Sequence, residues 1–96
     1  MQVVIDRELE EIFPTYLKNR QKDLVALESS LGAKDFEALR QIAHKTVGNA
    51  SGYGLEHLSQ YSRQLEQAAK DQKLDSCKEA FDLMKNYLAE LKVSFK

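Results

Sequence analysis

His44 stands four residues before Gly48, and Gly54 follows six further on, in the run Ala43-His44-Lys45-Thr46-Val47-Gly48-Asn49-Ala50-Ser51-Gly52-Tyr53-Gly54-Leu55. On a helix, this spacing sets an imidazole beside a bare patch of backbone one turn away, where a bulky partner can reach the ring. Glycine inside a helix costs about 1 kcal/mol relative to alanine, so its presence there calls for a reason. A neutral imidazole is a competent nucleophile near pH 7, because an unperturbed pKa of about 6.5 leaves one ring nitrogen free on most molecules. An acceptor for the other N–H fixes the tautomer, and a partner on Nδ1 leaves Nε2 free to attack. Glu66, or Gln67 beside it, lies about three turns into the neighbouring helix and can fold back to the level of His44, with Glu66 the first choice. Lys45 and Arg40 are cations close enough to offset an arriving anionic group such as a phosphoryl.

The elements that must position these residues are helical. Asp6 to Ile12 reads as a short first helix, with Asp6 as its cap and Glu8, Glu10 and Glu11 near the positive end of its dipole. Pro14 suits the first turn of the next helix. Phe13, Leu17, Leu24, Leu27 and Leu31 then mark one face of a helix running to about Ser30, with Gly32 as its stop. Asp35 begins another, whose inward face reads Phe36, Leu39, Ala43, Thr46 and Ala50, flanked by Ile42. Its opposite face carries Glu37, Arg40, Gln41, His44, Lys45, Gly48 and Ser51, which places His44 outside the core. The Gly52-Tyr53-Gly54 segment ends or distorts that helix, and Leu55, Leu58, Ser62, Leu65 and Ala69 stripe the one after it. Beyond a short turn at Asp71-Gln72-Lys73, the positions Leu74, Cys77, Phe81, Met84, Leu88, Leu91 and Phe95 predict a last long helix. Short connections make sequential helices antiparallel. The expected fold is therefore all-α, an up-and-down antiparallel four-helix bundle with a short additional N-terminal helix across one end, in one domain over residues 1–96.

Composition narrows the function. Ninety-six residues form one hydrophobic core, with no room for a nucleotide-binding domain, so any chemistry here must borrow a partner's machinery. The 14 Lys and Arg nearly balance the 15 Asp and Glu, which argues against nucleic acid and membrane-surface partners. No apolar run approaches the roughly 20 residues of a membrane helix, and the amino terminus lacks a secretion signal, so a cytoplasmic location is expected. Cys77 is the only cysteine, which excludes an internal disulfide; it falls on an apolar stripe and reads as a buried, inert thiol. With one proline and four glycines among Leu, Ala, Gln and charged residues, strands are not expected. His44 and His57 lack the three- or four-residue spacing of paired metal ligands, and no P-loop or GxSxG elbow is present, so no metal site and no hydrolase are expected. Near-zero net charge and the lack of an extra apolar stripe point to a monomer.

The run from Ala43 to Leu55, followed by Gln64-Leu65-Glu66-Gln67-Ala68-Ala69, resembles the signature of histidine-containing phosphotransfer (HPt) domains. The similarity extends over nearly the whole chain, through Ile12-Phe13-Pro14-Thr15-Tyr16-Leu17-Lys18-Asn19-Arg20 and Asn86-Tyr87-Leu88. The resemblance implies that His44 is the phosphoacceptor, Gly48 the glycine that opens access to it, Gly54 the glycine of the following turn, and Glu66 the residue that orients the imidazole. One position departs from the pattern: where the family usually carries a lysine, immediately before the glycine, this chain has Val47. Lys45, on an adjacent part of the face, is the substitute expected from the sequence. The implied function is a relay in which His44 takes a phosphoryl group from the aspartate of a response-regulator receiver domain, or of a hybrid sensor kinase, and passes it to another receiver aspartate. Mg²⁺ is expected in the partner and no cofactor in this chain; no autokinase activity is expected. Docking is expected on Arg40, Gln41, Lys45, Val47, Gly48 and Ser51. The competing reading is an adaptor of the same fold that binds a receiver or kinase without carrying phosphate.

Overall fold

The computed structural model describes residues 2–96. Strand β1 (Gln2–Ile5) leads through a single 3-10 turn (Arg7–Leu9) into four helices, α1 (Phe13–Ala33), α2 (Phe36–Gly52), α3 (Glu56–Lys70) and α4 (Leu74–Glu90), and strand β2 (Lys92–Phe95) follows. The four helices form the expected antiparallel bundle. Its interior is built from Leu27, Leu39, Ala43, Leu58, Leu65, Cys77 and Met84, each nearly or fully shut off from solvent. All five residues of the α3 stripe and four of the five on α2 are buried, while Phe36 is only partly covered. Periods of three and four thus select the inward faces directly.

Three local expectations are corrected. The amino terminus is a strand and a 3-10 turn, not a helix over Asp6 to Ile12. Asp6 still caps, accepting from the Glu8 N–H at 2.9 Å, but the turn has only three residues. The preceding Val3, Val4 and Ile5 are β-branched and pair in parallel with the chain's end, Val3 opposite Val93 and Ile5 opposite Phe95. The last helix likewise stops at Glu90 and does not reach Phe95. Leu91 turns extended (φ −67°, ψ 127°), and Phe95 packs edge-on against Phe13 from the strand, with ring centroids 5.8 Å apart. Lys96 N–H donates to the Ile5 carbonyl at 3.1 Å, and Arg7 N–H to the Lys96 carbonyl at 2.8 Å, which extends the pairing beyond the strands.

The third correction lies between α1 and α2. Gly32 does not stop the helix, which continues to Ala33, and Lys34 takes the left-handed conformation instead (φ 55°, ψ 37°). Asp35 must cap α2 at once, accepting from the Ala38 N–H at 3.1 Å, so the chain reverses at the residue directly before it. Pro14 sits in the first turn of α1 as expected. Among the described residues, no helix is long and apolar enough to cross a membrane.

Candidate functional site

His44 lies midway along α2 on the outward face, its side chain 69% exposed. The ring does not stand free. Nδ1 is 2.7 Å from Glu66 Oε2 on α3, and that carboxylate is only 13% exposed. A carboxylate accepts and does not donate, so Nδ1 carries the shared proton and the neutral ring presents the Nε2 lone pair to solvent. The alternative partner, Gln67, turns away and donates from Nε2 to Asp71 at 3.2 Å.

Helices α2 and α3 hold this geometry because they are fastened to each other along their length. The Ser59 hydroxyl, buried, donates to the Val47 carbonyl at 2.8 Å, and the Ser51 hydroxyl reaches Glu56 Oε1 at 3.4 Å. The short reversal between them depends on Gly54, at φ +80°, a conformation that glycine adopts without strain. Leu55 follows, fully buried, with its N–H on the Ala50 carbonyl at 2.9 Å.

Around the ring, Gly48 and Ser51 are exposed one and two turns beyond His44. Gln41 is exposed too, but it donates to Glu37 Oε1 at 3.1 Å. Arg40 is held by both oxygens of Glu37, and this contact keeps the Glu37 carboxyl below its ordinary range and raises the guanidinium. Lys45 is exposed, but it follows His44 by about 100° around the helix and lies away from the α3 side. Val47, expected on the docking surface, is half-buried, because its face of α2 is the one that α3 packs against.

The ring lies open on the helix surface. A depression of about 450 Å³ on α3, lined by Gln60, Arg63, Gln64 and Gln67, does not include His44. Among the described residues, no group of three His, Cys, Asp or Glu side chains could hold a metal ion. Two sets of contacts, one beside the ring and one at the end of α2, went unread in the sequence. Lys70 Nζ lies 3.9 Å from Glu66 Oε2, and the i,i+4 spacing of the two residues is a signal that could have revealed it. Tyr16 of α1 donates its hydroxyl to Asn49 Oδ1 at 2.6 Å and stacks on Tyr53 at 3.9 Å between centroids, fixing the end of α2 against α1. Arg20 covers the Tyr16 ring at 4.6 Å. No spacing rule joins residues 33 apart.

The geometry is that of an exposed imidazole on a four-helix bundle, its tautomer set by a carboxylate of the next helix. No match was found among curated proteins or among solved structures. The family model described as Hpt domain matches residues 11–94, which takes in all four helices and both members of the His44–Glu66 pair. The chain belongs to the Hpt domain family, whose members carry out histidine phosphotransfer in two-component phosphorelays.

Proposed function

We propose that His44 is the phosphoacceptor of this chain, receiving a phosphoryl group from a receiver-domain aspartyl phosphate and returning it to the aspartate of another receiver. The observation that carries this reading is the 2.7 Å contact between His44 Nδ1 and Glu66 Oε2 on a side chain that is otherwise largely exposed. The Nε2 lone pair forms the N–P bond as the P–O bond to the donor aspartate breaks and that carboxylate departs with the electron pair. The ring keeps its Nδ1 proton and becomes a phosphoimidazolium, and the Glu66 carboxylate stabilises the positive charge that develops. Keeping that proton also leaves the ring a good leaving group, so the reverse step, transfer to a second aspartate, uses the same geometry.

The exposure of the ring fits this role, since an open nucleophile depends on its partner to exclude water and place the reacting phosphorus in line. Mg²⁺ belongs to the receiver side of the complex. Gly48, Ser51, Gln41 and Arg40 form the surface that meets the receiver, in a cytoplasmic setting that suits a lone reduced cysteine. Incubation with a phosphorylated receiver and Mg²⁺ should place an acid-labile, alkali-stable label on the protein, and His44→Gln should remain unlabelled. An adaptor would instead bind receivers equally well with either residue and take up no label. Glu66→Ala should slow labelling about tenfold or more, the loss of one charge-assisted hydrogen bond, with Glu66→Gln in between because its amide oxygen still accepts from Nδ1.

A further inference from the structure

The carboxylate that orients His44 has a second partner. Lys70 ends α3, four residues after Glu66, and its ammonium lies 3.9 Å from the same Oε2 that faces the His44 ring. Its side chain is half exposed, on a flexible four-carbon stem. Lys70 and the nucleophile are thus bridged by a single carboxylate oxygen.

We propose that Lys70 is the cation that receives the phosphoryl group at His44, leaving Glu66 for the phosphoryl oxygens as the N–P bond forms. This rests on His44 being the phosphoacceptor. The cations of α2 are otherwise placed: Arg40 is clamped by Glu37, and Lys45 lies off the α3 side, toward which the ring is turned. Val47, aliphatic and half-buried, offers no charge. Charge supplies the reason for the exchange. Before transfer, the Glu66 carboxylate is shared between a neutral imidazole N–H and the Lys70 ammonium. After it, the ring is cationic and meets the full charge of Glu66 through the retained Nδ1 proton, while a dianion has appeared on Nε2. The mobile ammonium gains most by moving to the dianion. A lysine on α3 thereby does what Val47 on α2 cannot.

The test loads His44 from two donors, a phosphorylated receiver with Mg²⁺ and phosphoramidate, a small donor with no protein surface. Lys70→Met should slow loading about two- to fivefold from both donors, the range of a solvent-screened charge contact, and Lys70→Arg should restore it. The difference between wild type and Lys70→Met should shrink as salt is raised, and the ³¹P resonance of the phosphohistidine should differ between the two. Equal loading of wild type and Lys70→Met, or a loss that follows Lys45→Met instead, overturns the assignment. A defect confined to the receiver donor overturns it as well, because it would make Lys70 a docking residue. Wild type that takes label from phosphoramidate but from no receiver removes the relay reading, whereas label retained by His44→Gln removes the acceptor itself.

Discussion

A Cβ at Gly48 would meet nothing within 4 Å apart from its chain neighbours and the backbone of its own helix, so packing does not require glycine there. The residue sits in the interior of an exposed helix, where alanine is preferred by about 1 kcal/mol. Gly48→Ala should therefore raise stability by about 0.5–1 kcal/mol in urea unfolding while slowing labelling by a phosphorylated receiver. A variant both more stable and equally fast would leave the glycine without a role in access. The His44–Glu66 pair was legible from an imidazole on a polar face and, for Glu66, from the family resemblance added to its depth on the next helix, since position alone fits any surface glutamate equally well. Lys70 was not, since a lysine four residues after a glutamate is common on solvated helices and carries no mark of what else the glutamate holds. Val47, expected on the docking surface, is partly covered for a geometric reason. It lies only about 60° from His44 around the helix, at the boundary where α3 covers one residue and leaves its neighbour open.

At the scale of elements, the four helices were readable from apolar periodicity, and the errors gathered at the ends. Leu91 and Phe95 are four residues apart, a spacing that continues a helical stripe and equally fits two steps of an alternating strand. The choice falls to β1, which offers a partner 90 residues away in sequence, and no local pattern reports it. The α1–α2 reversal shows a similar contest. Gly32 suits a left-handed cap, but the capping need of Asp35 moves the reversal to Lys34, a residue with a Cβ. A non-glycine residue in that region is strained by about 1 kcal/mol or more. Lys34→Gly should accordingly raise the melting temperature, by a gain of about 0.5–1 kcal/mol after the added flexibility of the unfolded chain is counted. Gly32→Ala should also be tolerated, because that glycine is helical and a Cβ there meets nothing. A loss of stability in Lys34→Gly would place the reversal elsewhere.

The molecule as a whole carries three buried acidic groups that serve no exposed chemistry: the phenols of Tyr16 and Tyr87 and the thiol of Cys77, all pushed upward by burial. Each stays neutral in the folded chain at a pH where the unfolded chain ionises. The folded state then binds more protons, and stability falls as pH rises. Their contribution is fully present below the unfolded values, near 9.0 for the thiol and 10.0 for the phenols, and is lost as pH climbs through the folded ones. Melting temperature should therefore decline from about pH 9 upward. Tyr87 separates this effect from general alkaline damage. Its hydroxyl is buried without a hydrogen-bond partner, while its ring packs against His57 and Tyr61 with centroids 6.3 and 6.1 Å away. Tyr87→Phe keeps the ring, removes an unsatisfied polar atom and removes one titrating group. At neutral pH the variant should match wild type or exceed it by about 1 kcal/mol, and above pH 10 its advantage should widen. Parallel declines for the two proteins would mean that the phenol of Tyr87 ionises as freely in the bundle as in the unfolded chain, and that its hydroxyl meets water there.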